Sequence, residues 1–142
     1  MRILALLCIV LPAGGLAAQT ASDSAAIVAT AKDYIEGWYT GDVTRMQRAL
    51  HPELVKRILA RDTVSKRTWI ENQSASRLVA GVARGGGTRT PADKRRTDVV
   101  VLDVFRHAAS VKVDAGEWVD YLHLVKEGDR WLILNVLWEL RS

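Results

Sequence analysis

The stretch Trp118-Val119-Asp120-Tyr121-Leu122-His123-Leu124-Val125-Lys126, then Glu127-Gly128-Asp129, then Arg130-Trp131-Leu132-Ile133-Leu134-Asn135-Val136-Leu137-Trp138 decides how the chain is read. Two runs rich in Val, Leu and Trp flank a tight turn, the pattern of an antiparallel hairpin. With Gly128-Asp129 as the two-residue loop, Glu127 pairs with Arg130 and Leu122 with Asn135. With Glu127-Gly128 as the loop, Lys126 pairs with Asp129 and Asp120 with Asn135. Side chains alternate with a period of two, so both registers predict the same faces. One face carries Trp118, Asp120, Leu122, Leu124, Trp131, Ile133, Asn135 and Leu137. The other carries Val119, Tyr121, His123, Val125, Leu132, Leu134, Val136 and Trp138. Both faces are apolar enough to require cover, and an apolar face without helices on it predicts a homodimer through the sheet.

Upstream, Asp98 to Val104 and Ala109 to Val113 read as two further strands of the same meander. The N-terminal half reads as helical. Ile27, Ala31, Tyr34 and Trp38 recur at helical spacing within Ser24 to Tyr39. Gly41 ends that helix and Asp42 caps the next, Val43 to Leu50. Pro52 is placed to open a further helical segment carrying Leu54, Val55, Ile58 and Leu59. A third helix is expected over Lys66 to Val82, with Ser65 as its cap. Helices first and strands later predict an α+β fold.

Composition sets the outer limits. The chain has 142 residues, 49% of them hydrophobic and 25% charged, enough for one globular domain. Its formal charge is +4, from 20 basic and 16 acidic residues. The basic residues of the loop 84–96, which surround Gly85-Gly86-Gly87, lack interleaved aromatics, so no nucleic-acid partner is expected. That loop is read as a solvated connection.

Arg2, the apolar run Ile3 to Leu11, and the small residues Ala17 and Ala18 read as a signal peptide over 1–18, cleaved near Ala18. The run is too short to span a bilayer. The mature protein is therefore expected to be secreted or periplasmic, with no membrane span and with its domain over 19–142. Cleavage removes Cys8, the only cysteine. No thiol nucleophile, disulfide or thiolate metal site then remains. His51, His107 and His123 lack metal-ligand spacing, so no metal and no cofactor is expected.

The segments Tyr34-Ile35-Glu36-Gly37-Trp38-Tyr39, Gly41-Asp42 and Ala49-Leu50-His51-Pro52-Glu53-Leu54 have a familiar arrangement. So do Ala109 to Val113, Val119 to Lys126 and Arg130 to Trp138. Together they resemble the putative lumazine-binding branch of the nuclear transport factor 2-like (SnoaL-like) superfamily. The resemblance implies a cone: N-terminal helices packed on a curved antiparallel sheet, enclosing a pocket. It also implies that Trp131, Ile133 and Asn135 point inward, and the face argument adds Trp118, Asp120 and Leu122.

The candidate ligand residues are then Tyr34, Trp38, His51, Trp118, Asp120, Trp131 and Asn135. The aromatic members suit a flat heteroaromatic molecule. Asp120 and Asn135, polar on an apolar face, need partners that a ligand can supply. Asp120 is also the candidate general base of an alternative lyase or isomerase, with Tyr34 as donor. A protein-interaction module is the third reading. The leading expectation is a non-catalytic small-molecule binder.

Overall fold

The computed structural model describes the backbone of residues 14–141 and the side chains from residue 21 onward. Helix α1 (Gly14–Thr40) and helix α2 (Val43–Ala49) lead into strand β1 (Leu50–Arg61) and strand β2 (Thr68–Ser74). Helix α3 (Ala75–Ala83) follows, then a short 3-10 turn and strands β3 (Asp98–Phe105), β4 (Ala108–Asp114), β5 (Trp118–Glu127) and β6 (Arg130–Leu140). The expected signal peptide falls largely on residues outside the described ones. The described backbone is already helical at Gly14, and α1 passes through Ala18 without a break.

Six strands form one sheet in the order β2-β1-β6-β5-β4-β3. The three helices pack on one side of it, giving the expected α+β cone. The sheet is mixed, not purely antiparallel, because β1 lies parallel to β6. Ile27, Ala31 and Ile35 of α1 and Met46 of α2 are fully buried, against Val111, Val113, Leu122, Ile133 and Val136 of the sheet. Gly41, at φ +70°, ends α1, and the Asp42 carboxylate accepts the Arg45 N–H at 3.0 Å to cap α2.

Two expected helices are corrected. The segment after Pro52 is β1, not a helix. Its apolar residues fit either period, but Leu54, Lys56 and Ile58 are buried in strict alternation with exposed or half-buried neighbours. Parallel pairing with β6 settles the choice. Pro52 sits where the β1–β6 register shifts, between Leu50 and Val55, a position that tolerates the missing N–H. The expected helix over Lys66 to Val82 begins only at Ala75, capped by Ser74 in place of Ser65. Residues 68–74 instead pair with β1 as an edge strand.

The third correction concerns the hairpin. Glu127 pairs with Arg130, as the Gly128-Asp129 loop requires, and the register holds as far as Leu124 opposite Ile133. It then slips by one residue. His123 faces Asn135, Leu122 faces Val136, and Asp120 faces Trp138. One inserted residue reverses the facing of everything beyond it. Val136 and Trp138 therefore turn inward, whereas Asn135 and Leu137 turn outward beside His123 and Tyr121. No turn-based register contains this slip.

The glycine-rich loop is not a solvated connection along its whole length. Gly87 is buried, and its N–H donates to the Trp38 carbonyl at 2.9 Å. A Cβ on Gly87 would lie 2.6 Å from the Trp38 indole. The missing side chain lets the loop lie against α1 and hold Trp38 in place.

Candidate functional site

A cavity of about 270 Å³ opens where α1, α3, β1, β2, β5 and β6 meet. Tyr34 and Trp38 project from α1 one turn apart. Trp118 starts β5, and Trp138 comes from the slipped end of β6. These four aromatics wall the cavity, and Ile35, Leu78 and Leu140 add aliphatic surface. Its polar lining is Lys56, Gln73 and Glu117. Lys56 and Gln73 face each other across the β1–β2 pair.

Beneath this lining lies a buried network. Lys56 Nζ donates to Asp120 Oδ1 at 2.8 Å and to the Tyr34 hydroxyl at 2.7 Å. The indole N–H of Trp118 donates to Asp120 Oδ2 at 2.8 Å. Asp120 is fully buried, and the Lys56 side chain is only 9% exposed. Lys56 Nζ also sits 4.7 Å from the Trp138 ring centre and 5.4 Å from that of Tyr34, both within cation–π range. Every polar end in this network has a partner, which is what burial requires.

The electrostatics follow from burial. Desolvation pushes the Lys56 ammonium below the ordinary lysine range, opposed by the Asp120 carboxylate that keeps the proton on. The Tyr34 hydroxyl is pushed well above the ordinary tyrosine range, first by burial and then by the same carboxylate. Tyr34 therefore stays protonated as a neutral hydrogen-bonding group.

Of the residues singled out from sequence, Tyr34, Trp38 and Trp118 border the cavity together. Asp120 lies directly behind Lys56 and does not border it. His51 sits elsewhere, its Nδ1 accepting the Glu53 N–H at 3.0 Å in a local capping role. Trp131 is buried beside the N-terminal part of α1, where its indole N–H donates to Asp23 at 3.1 Å. Asn135 is on the outer sheet face and shares no site with Asp120, because of the register slip. Lys56, Gln73 and Trp138 were not foreseen. The alternation Leu54-Lys56-Ile58 was the available signal for Lys56, hidden by reading that segment as a helix. Among the described residues, no group of three His, Cys, Asp or Glu side chains is placed to hold a metal ion, and no helix is long and apolar enough to cross a membrane.

Comparison with known proteins places this geometry. The family model described as "Putative lumazine-binding" matches residues 22–139. No curated relative matches the chain. Among solved structures, an NTF2-like protein of unknown function from Shewanella baltica OS155 is similar with a TM-score of 0.65 and 17% identity, covering 86% of this chain and 96% of its own. An NTF-2 like protein of unknown function from Silicibacter pomeroyi DSS-3 gives 0.63 and 15%, covering 86% and 98%. A protein from Streptomyces avermitilis named a "putative dehydratase from the NTF2-like family" gives 0.59 and 13%, covering 87% and 99%. At these identities the structures establish the fold alone. With the family model spanning nearly all the described residues, the chain belongs to the "Putative lumazine-binding" family, on the nuclear transport factor 2-like fold.

Proposed function

We propose that this is an exported small-molecule-binding protein that holds a small, flat heteroaromatic ligand in the cavity without converting it. The observation that carries this reading is the cavity itself: four aromatic walls over a polar floor in which the Lys56 ammonium is already paired with Asp120. Its volume of about 270 Å³ lies just below the usual range for ligand pockets, roughly 300–1,000 Å³, which suits a small ligand. Aromatic walls favour stacking on a flat ring, and Lys56 and Gln73 can orient its polar edge. The family description names lumazine, a molecule of this class.

The lyase or isomerase reading requires Asp120 to accept a proton from a ligand. Both of its oxygens are held, and Lys56 stands between it and the cavity. A base must be within reach of the proton it removes. Binding without turnover fits this geometry better.

Titration of the protein with lumazine, followed by tryptophan fluorescence, tests the reading. Saturable quenching is expected, because Trp38, Trp118 and Trp138 border the site. Chromatography after prolonged incubation should return the ligand unchanged. No saturable response to lumazine or to a quinazolinone, by fluorescence and calorimetry alike, would overturn it.

The proposal includes a homodimer through the outer sheet face. Tyr121 and Leu137, cross-strand partners there, are 46% and 58% exposed. Sedimentation at micromolar concentration should show a dimer, and a clean monomer would remove this part.

A further inference from the structure

We propose that Asp120 sets the charge class of the ligand: by cancelling Lys56 from behind, it makes the cavity a receptor for uncharged molecules and excludes carboxylates. The inference rests on the cavity being the binding site and adds what that site selects. Of the described residues bordering the cavity, only Lys56 and Glu117 carry charge. Glu117 is exposed and adds negative charge at that border. Lys56 is the one cation, and its ammonium has three N–H donors. Two are spent on Asp120 and Tyr34, leaving one for a ligand acceptor.

The geometry decides what that acceptor is. A ligand oxygen bonded to Nζ would have the Asp120 carboxylate behind the ammonium, at about twice the distance. Coulomb energy falls as the inverse of distance, so the carboxylate cancels roughly half of the pull on an anion. The remainder must offset stripping water from a carboxylate, a large cost in an aromatic-walled site. A neutral carbonyl avoids that cost and keeps the hydrogen bond. A cation meets Lys56 first and is repelled. The aromatic faces near Lys56 add no preference for an anion, since they present negative potential.

Benzoate, benzamide and benzamidinium form a nearly isosteric series of anion, neutral molecule and cation. Calorimetry at neutral pH, direct and in competition with lumazine, ranks them. Wild type should bind benzamide about tenfold or more tighter than either ion. Asp120→Asn keeps the side-chain size and one of the two acceptor oxygens but removes the charge that holds the proton on Lys56; its binding of benzoate relative to benzamide should therefore rise as the pH is lowered from about 8 to about 5 and Lys56 takes up its proton. A wild type that prefers benzoate, or ranks the three equally, overturns the inference. So does a folded Asp120→Asn whose binding of benzoate relative to benzamide does not rise over that pH range, or a wild type in which lumazine binds and none of the three displaces it. Should Asp120→Asn fail to fold, the wild-type ranking alone decides. Failure of lumazine and all three probes to bind would instead remove the cavity reading beneath it.

Discussion

Two Asp–Lys–Trp clusters occupy opposite parts of the cone. In each, a carboxylate accepts from a lysine ammonium and from an indole N–H. Asp120 takes Lys56 at 2.8 Å and Trp118 at 2.8 Å. Asp23 takes Lys126 at 2.7 Å and Trp131 at 3.1 Å, tying the early part of α1 to β5 and β6. The bond lengths hardly differ. The surroundings do: Asp120 is sealed, while the Asp23 and Lys126 side chains are 15% and 17% exposed. Water can replace a lost partner of Asp23 but not one of the fully buried Asp120. The same chemistry therefore serves as a buried charge pair under a cavity in one place and as a partly wet clasp in the other.

The largest effect should come from breaking the sealed pair on one side only. Asp120→Leu leaves a buried ammonium without its counter-ion, which costs about 3–5 kcal/mol. The double variant Lys56→Met/Asp120→Leu removes both charges and should recover most of that loss. Urea unfolding of the two variants checks this. A double variant no more stable than the single would mean that Lys56 finds water in the cavity, and the contrast between the clusters would fail.

Tyr34→Phe should come next. It deletes the hydroxyl that accepts from Lys56 while keeping the ring beside the ammonium. A buried donor without its acceptor costs about 1–3 kcal/mol. Combining Tyr34→Phe with Lys56→Met should be less than additive, since the two share one hydrogen bond. Full additivity would show that the hydroxyl acts independently of Lys56.

The contrast also explains what sequence reasoning could see. The Asp42 cap, the Gly41 stop, the α1 stripe and the turn at Gly128-Asp129 depend on neighbours a few residues away, and each matched its expectation. The position of Lys56 depends on β1 lying beside β6, about eighty residues later in the chain. A helical period and a strand period were both available to Leu54, Val55, Ile58 and Leu59, and only tertiary pairing chose between them. The exchange of Asn135 for Trp138 at the inward face came from one slipped residue in β6. Such a slip has no local signature when every neighbour is apolar. Tyr34, Trp38 and Trp118 were accessible from spacing and face alone. Lys56, the only cation among the described residues bordering the cavity, was not.

The smallest effect belongs to the Asp23 clasp, and pH isolates it. Hydrogen bonds from Lys126 and then Trp131 hold the Asp23 carboxyl below the usual carboxylate range. A depressed folded pKa means that the unfolded chain takes up the proton first on acidification. The stability that this group contributes is thus fully present above its unfolded pKa of 3.8 and is lost as pH falls through the lower folded value. Asp23→Asn should therefore be slightly less stable than wild type near neutrality, and the gap should close as the pH falls through the depressed folded pKa of Asp23. Asp33, Asp62 and Asp114 are depressed as well, so both proteins will still lose stability in acid. Only the difference between the two reports on Asp23. High salt should shrink that difference near neutrality by screening the partly exposed pair, while leaving the Asp120→Leu loss almost unchanged. A gap that persists in acid and in salt would assign the clasp to packing of the Trp131 indole, and the charge on Asp23 would then contribute nothing to holding α1 in place.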